Sequence, residues 1–377
     1  MNASTDRATT HRADLLRDGR AAARAAHLHY VEPGEPGIRR LGKNGRFRYV
    51  DERGRLVRQG PTLARIRALV IPPAWRDVWI CAREDGHLQA TGFDVEGRKQ
   101  YRYHAQWRSL RDRAKYEDIL PFVRALPRLR RRVARDLARS EPSKEKMVAL
   151  VVRLIEATQI RVGNEKYAQA NGSHGVTTLR GRHARVHGET VEFVFPGKAG
   201  KRWRTTVRDR RLAAALRRAS ANRNQPLFRY RGADGATHPV RSADVNAYLR
   251  ESMGQPFTAK EFRTWAATLQ TSIRLSQCAP CQNQRAAKRN LSRAIEEAAS
   301  CLGNTVTVCR KSYIDPSLFD CYLAGRLHDE FARALRRARQ SRSSGLSAEE
   351  RAVSALLDSL RQRRHGSPHG AALASAA

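Results

Sequence analysis

Hydrophobic positions change their period several times along the chain. From Pro33 to about His104 they come in short runs between turn residues. Phe47-Arg48-Tyr49-Val50 leads into Asp51-Glu52-Arg53-Gly54, and Trp79-Ile80-Cys81 is followed by Asp85-Gly86. His87-Leu88-Gln89-Ala90-Thr91-Gly92 comes next. Short β-prone runs bounded by Gly and Asp predict a small, mostly antiparallel β domain. From about 108 to 170 the period becomes helical. Met147, Leu150, Val151, Leu154 and Ile155 form an i, i+3, i+4 stripe that predicts a core-facing helix over 143–158. Residues 176–207 return to strand pattern, with Val191, Phe193 and Phe195 alternating with Glu192 and Val194. Pro196-Gly197-Lys198-Ala199-Gly200 forms the turn of a hairpin that comes back through Trp203 to Val207. Helices are expected from about 209 to 340, with breaks near 230–240 and 302–306.

The two ends read differently. Residues 1–29 are polar, rich in Arg and Ala, and predict a basic arm, with a frayed or nucleic-acid-contacting helix near 13–28. Ser341 to Ser344 looks like a linker. Ser347-x-x-Glu350 is a capping box that opens a helix with Val353, Leu356, Leu357 and Leu360 on one face, and residues 365–377 read as disordered. The expected organisation is therefore an arm at 1–29, a β-rich domain at 30–107, a mainly helical domain at 108–340 and a tail at 341–377.

Composition narrows the function. The chain has 377 residues, 41% of them hydrophobic, enough for a packed core in each of two domains. No apolar run approaches the roughly 20 residues needed to span a bilayer, and the N-terminus lacks a signal-peptide core. Six Cys without framework spacing fit a reducing cytosol. Lys and Arg number 72 against 36 Asp and Glu, for a net charge of +36, which implies a polyanionic partner, most simply nucleic acid. Only 11 of the 72 basic residues are Lys. A genome that favours Arg codons explains that ratio, though not the shortage of acids, and it makes each remaining Lys worth inspecting.

Several chemistries are absent from the sequence. Gly197-Lys198 lacks the upstream glycine and following Ser/Thr of a nucleotide-binding loop, and no DxD-type acidic cluster is present to hold magnesium. Cys278-Ala-Pro-Cys281 is a single CxxC without a partner pair, more often two incidental thiols than a zinc site. Phosphodiester cleavage without a metal remains open. It needs a side-chain hydroxyl to attack, fixed guanidinium groups to hold the charge and an acid to protonate the leaving oxygen. Candidates for all three occur. Arg161 lies in Arg161-Val162-Gly163-Asn164-Glu165-Lys166-Tyr167, and Lys198 sits at the hairpin tip. Arg263 lies in Lys260-Glu261-Phe262-Arg263-Thr264-Trp265. Tyr313 lies in Lys311-Ser312-Tyr313-Ile314-Asp315-Pro316, with Asn304 nine positions earlier. Taken singly, Arg161 could cap its helix, Arg263 could be a surface cation and Tyr313 a core aromatic.

Together, in this order and at these separations, the RxGxxxY, GKxG, KxxRTW and KSYIDP passages closely resemble the small, poxvirus-like and bacterial type IB DNA topoisomerases, over roughly residues 35–325. The resemblance implies an α+β protein. A small antiparallel β-rich N-terminal domain would join a larger, mainly α-helical catalytic domain with a three-stranded β-hairpin sheet, the catalytic fold shared with tyrosine recombinases. It implies that Tyr313 attacks the scissile phosphate to give a 3′-phosphotyrosyl link. Arg161 and Arg263 would grip the non-bridging oxygens, and Lys198 would be the general acid. Supercoils of either sign would be relaxed without ATP, metal or other cofactor. Many members carry His where this chain has Asn304, and an amide can donate a hydrogen bond but cannot shuttle protons. Gln100, Tyr101 and Tyr103, in Gly97-Arg98-Lys99-Gln100-Tyr101-Arg102-Tyr103-His104, would contact DNA. Tyr167 and Lys260 are further phosphate contacts on the same reading. The implied partner is double-stranded DNA, gripped by a monomer closing as a clamp. No membrane or nucleotide is involved, and the implied location is the cytoplasm, with the nucleoid.

Two rivals follow from the same residues. A tyrosine recombinase shares the nucleophile and arginines but usually has HxxR where this chain has Lys260 in KxxR. A non-enzymatic chromosome-binding protein would account for the charge alone.

Overall fold

A computed structural model describes residues 18–32, 34–43, 45–58, 60–278, 283–341 and 345–366. The chain divides into two compact units, one up to Asp118 and the other from Ile119.

The first unit is built on a five-stranded antiparallel sheet of β1 (Gly37–Lys43), β2 (Arg46–Val50), β3 (Arg76–Cys81), β4 (Leu88–Phe93) and β5 (Lys99–Tyr103), in the order β2-β1-β3-β4-β5. Strands β2, β3 and β4 fall on the three runs named from the sequence, while β1 lies in a stretch where no run was singled out. Ile38, Val78, Ile80 and Ala90 form a buried cluster with Ile66, and Ile66 belongs to α2 (Gly60–Ala68), a helix that the strand reading of this stretch misses. Its signal is the three-residue spacing of Leu63, Ile66 and Leu69, too short to stand out among strands. Helix α1 (Gly19–Ala25) also departs from expectation. Its N-cap Asp18 accepts from the Arg20 amide. Ala22 and Ala23 are buried with Leu28 and Trp107 of α3 (Ala105–Glu117), so this part of the arm is packed rather than frayed. Residues 1–17 lie outside the described residues.

In the second unit the stripe expected at 143–158 is helix α5 (Lys144–Thr158), capped by Ser143. It packs on α4 (Ile119–Leu137). Phe122 meets Phe257 and Phe262 edge to face, with ring centroids 5.5 and 5.1 Å apart. After α6 (Glu165–Asn171), residues 176–183 form two 3-10 turns, Val176–Thr178 and Gly181–His183, where strand was expected. The local cause is side-chain competition for the backbone. Thr178 Oγ1 accepts from the Gly175 amide at 3.0 Å, and His183 Nδ1 accepts from the Arg180 amide at 3.1 Å, which closes tight turns. Strands β6 (Ala184–His187), β7 (Thr190–Pro196) and β8 (Arg202–Arg208) then make the three-stranded sheet, and Lys198–Gly200 forms the turn between the last two.

Beyond it come α7 (Arg210–Ala221), the small β9 (Arg229–Arg231) and β10 (Thr237–Pro239) hairpin, α8 (Ser242–Met253), α9 (Ala259–Ser276), α10 (Gln284–Leu302), α11 (Val306–Ser312), α12 (Ser317–Leu323) and α13 (Leu327–Gln340). The tail forms α14 (Ala348–Gly366). Its capping box is present, with the Ser347 amide donating to Glu350 at 2.8 Å and the Glu350 amide to Ser347 Oγ at 3.1 Å. Val353, Leu356, Leu357 and Leu360 are buried, as their spacing predicts. The helix runs to Gly366, one residue past the expected start of disorder, and residues 367–377 lie outside the described set. The overall class is therefore α+β, an antiparallel sheet unit and a mainly helical unit with a three-stranded hairpin sheet. Among the described residues no helix is long and apolar enough to cross a membrane.

Candidate active site

The site begins with helix ends. Helix α5 stops because Gln159 turns left-handed at φ 58°, which frees the following residues to leave the helix axis. Arg161 follows, and its loop is pinned from behind. The Val176 amide donates to the Arg161 carbonyl at 2.9 Å, and the Thr177 amide donates to the Val162 carbonyl at 2.8 Å. Gly163 and Gly175 make this close approach possible. A Cβ on Gly175 would lie 2.5 Å from the Arg161 carbonyl oxygen and from Gly163, which itself sits at φ 101°.

Helix α9 supplies Arg263. Thr258 caps it, with Glu261 returning to the Thr258 amide in a capping box. Arg263 is 3% exposed. Its Nη1 donates to the Gln159 carbonyl and its Nη2 to the Leu302 carbonyl at 2.8 Å. The guanidinium thus ties the end of α5 to the end of α10. Burial first, and then the charge of Arg161, pushes the Arg263 pKa down to about 10, and it stays protonated at neutral pH. Burial also lowers Arg161.

Helix α10 ends at Gly303, left-handed at φ 57°, and the next residue is Asn304. A Cβ on Gly303 would lie 2.1 Å from the ring of Trp203 on β8, so the hairpin sheet rests directly on this turn. Arg161 Nη2 donates to Asn304 Oδ1. A guanidinium has no acceptor, so this bond fixes the amide with its oxygen toward Arg161 and its Nδ2 away. Asn304 Nδ2 is buried and has no hydrogen-bond partner among the described residues, as is also true of Arg263 Nε. Both are donors, and a buried donor left unpaired costs about 1–3 kcal/mol, a cost that an anion accepting from it would remove.

Thr305 caps α11, and Tyr313 ends it. The half-buried Tyr313 ring lies under Arg263, with the guanidinium carbon 5.2 Å from the ring centroid. Burial alone would push the phenol pKa up. The charge and hydrogen bonding of Arg263, then the charges of Arg161 and Lys260, outweigh burial and hold it below the usual tyrosine value. Lys260 is exposed in the first turn of α9, on the same side of the helix as Arg263.

Four of the sequence candidates, Arg161, Arg263, Asn304 and Tyr313, therefore meet in one cluster, and Lys260 acts on it through charge. Lys198 is exposed on the turn between β7 and β8. The hairpin base is nevertheless tied to the cluster. The His174 amide donates to the Pro196 carbonyl at 2.8 Å, next to the Gly175 strap behind Arg161, and Trp203 packs on Gly303. Tyr167 is 53% exposed on α6. In the first unit Tyr101 and Tyr103 stand on one face of β5, their rings stacked with centroids 6.0 Å apart. Gln100 is on the other face, where its Nε2 donates to Asp94 at 2.8 Å. Cys278 is partly exposed, and Cys281 lies outside the described residues.

Several residues that build the site carry no signal in the sequence. Gln159 acts through its carbonyl and an unusual backbone angle, and Thr268 acts through a hydroxyl on the backbone of the Tyr313 turn. A break near 302–306 was expected, but the contact of Gly303 with Trp203 carries no signal in the sequence.

Comparison with known proteins fixes the family. The catalytic core described for eukaryotic DNA topoisomerase I matches residues 104–320, and the N-terminal domain described for bacterial DNA topoisomerase IB matches residues 46–94. This chain belongs to the type IB DNA topoisomerase family. The DNA topoisomerase 1B of Acanthamoeba polyphaga mimivirus is 30% identical over 259 residues, which are 67% of this chain and 77% of that protein. The DNA topoisomerase 1 of Mycosarcoma maydis is 26% identical over 193 residues, and that of Drosophila melanogaster 27% over 173. The matched part spans only 19% and 17% of those two proteins. In this type IB chain the core match contains the whole Arg161–Arg263–Asn304–Tyr313 cluster and Lys198, and the N-terminal match lies in the sheet unit.

Proposed function

We propose that the chain relaxes supercoiled DNA of either sign through a covalent phosphotyrosyl intermediate. Tyr313 Oη attacks the scissile phosphorus, the bond to the 5′ oxygen breaks, and the 3′ end stays on the tyrosine. Arg161, Arg263 and Asn304 Nδ2 donate to the non-bridging oxygens, where charge grows in the transition state. Lys198 protonates the departing 5′ oxygen, a task an ammonium can perform and a guanidinium cannot. Attack by the freed 5′ hydroxyl on the same linkage restores the strand. The phosphotyrosyl bond conserves the energy of the broken one, so ATP has no role. The guanidiniums supply the positive charge that a metal would otherwise bring.

One observation carries this reading. A phenol sits beneath a buried guanidinium, in a cluster whose amide Nδ2 and Arg263 Nε are donors with no partner among the described residues. That is the equipment for an anion, and positive neighbours already ease ionisation of the phenol.

The protein acts as a monomer on duplex DNA in this reading. Gln100, Tyr101 and Tyr103 contact the duplex from the sheet unit, and Tyr167 and Lys260 contact phosphates from the helical unit. The deciding experiment mixes the protein with supercoiled plasmid and a chelator, without ATP, and stops the reaction with detergent. Relaxation together with DNA trapped on the protein is expected, and Tyr313→Phe should show neither. Strand exchange between two sites without relaxation would instead make the chain a recombinase.

A further inference from the structure

The family match ends at residue 320, and helix α14 lies wholly beyond it. This helix packs on α4, α9, α12 and α13. Arg130 on α4 holds Glu350 at its start through two bonds of 2.7 and 2.9 Å, and Arg363 near its end meets Glu330 of α13 at 2.7 Å. Between these anchors Arg361 reaches Asp315, with 3.8 Å between Nη2 and Oδ2.

Asp315 is two residues past Tyr313 and 4% exposed. Its Oδ1 accepts from the Ser317 amide at 2.9 Å and from Ser317 Oγ at 2.7 Å, which starts α12. Its own amide donates to Thr268 Oγ1 at 3.2 Å, and that hydroxyl donates to the Tyr313 carbonyl at 3.2 Å. Thr268 is fully buried on α9, the helix that carries Arg263. A continuous chain of contacts therefore runs from α14 through Arg361, Asp315 and Thr268 to the backbone of Tyr313.

We propose that Arg361 is a positioning residue for Tyr313, and that the tail helix sets the aim of the nucleophile. The proposal rests on Tyr313 being the attacking group. A buried carboxylate needs a compensating cation. With Arg361 removed, Asp315 shifts toward water and the turn holding the Tyr313 carbonyl loosens. In-line attack tolerates errors of only about 0.5 Å. Cleavage therefore suffers while the grip on DNA does not, because Arg361, Asp315 and Thr268 are not among the residues assigned to the duplex on that reading.

The test uses the full chain and single-turnover cleavage of a nicked duplex at saturating protein. Arg361→Ala should slow covalent adduct formation about 10- to 100-fold, the scale expected for a misplaced reacting group. Duplex affinity, measured in the Tyr313→Phe background, should not change. Arg361→Lys should recover most of the rate. Asp315→Asn combined with Arg361→Ala should be no slower than Arg361→Ala alone, because both changes break one contact. Cleavage at the unsubstituted rate would overturn the proposal. So would a loss that merely tracks the folded fraction measured by circular dichroism. Failure of the unsubstituted protein to form an adduct, or an adduct surviving in Tyr313→Phe, would instead remove Tyr313 as the nucleophile.

Discussion

Arg263 is 3% exposed and has both terminal nitrogens on backbone carbonyls, whereas Lys198 stands exposed on a short turn. On the proposed function, the two cations serve one reaction in different ways. Groups that hold a transition-state charge must not reorganise as it develops, so burial and backbone clamps suit them. A proton donor must instead meet the leaving oxygen once substrate is present, and an exposed turn leaves it free to do so. The same contrast holds for stability. Arg263 joins the ends of α5 and α10, while Lys198 is exposed on its turn.

Substitutions can break or sharpen this contrast. Tyr313→Phe has the largest expected effect. It should abolish the detergent-trapped adduct while leaving duplex binding in place, and if an adduct survives, both halves of the comparison lose their centre. Lys198→Ala should follow, slowing cleavage about 10²- to 10⁴-fold, the usual worth of a general acid. Its melting temperature should not move. A substrate with a leaving group that needs no proton should restore the rate, and failure of that rescue would deny the hairpin its donor role. Arg263→Lys should cost about 10²- to 10³-fold in cleavage, because an ammonium cannot reproduce the fork. Here the melting temperature should fall as well, since one nitrogen cannot reach both carbonyls. A pure rate effect would mean that the clamp is not structural.

Asn304→Ala should slow cleavage by about 10- to 100-fold, the value of one hydrogen bond to a charged group, without abolishing it. Complete inactivity with intact DNA binding would require the amide to do more than donate. The smallest effect concerns acid stability at the base of the hairpin. Burial first, then the nearby His174, Arg182 and Arg180, push the His183 pKa down from 6.5 to about 4. Between those values the unfolded chain takes up a proton and the folded chain does not, so stability is lost as pH falls from about 6.5 toward 4. His183→Phe should flatten thermal stability over that window, and an unchanged slope would place the acid sensitivity elsewhere.

Much of this was legible in the residues, for identifiable reasons. The alternation from Val191 to Phe195 reflects packing against a single covered face, which sequence period encodes directly, whereas α5 is covered nearly all round, at Val148, Ala149 and Val152 as well as along the stripe from Met147 to Ile155. Capping at Ser347 is local as well. The turns at 176–183 were not legible, because Thr178 and His183 fold the backbone onto their own side chains in a stretch of β-prone residues. In the site, residue types and order mark Arg161, Arg263 and Tyr313, but nothing in a chain with so many arginines reveals which one is buried. Arg130, Arg361 and Thr268 act across long separations, through contacts that only the fold creates.

Gly303 couples the two halves of the contrast. Because the Trp203 ring occupies the space where a side chain would begin, the spacing between the lysine-bearing ribbon and the Asn304 amide is set by contact rather than by a tether. Any larger residue there would act as a shim, displacing donor and amide together. On the proposed mechanism, enzyme carrying such a change would therefore lose proton delivery and oxyanion support as one correlated defect.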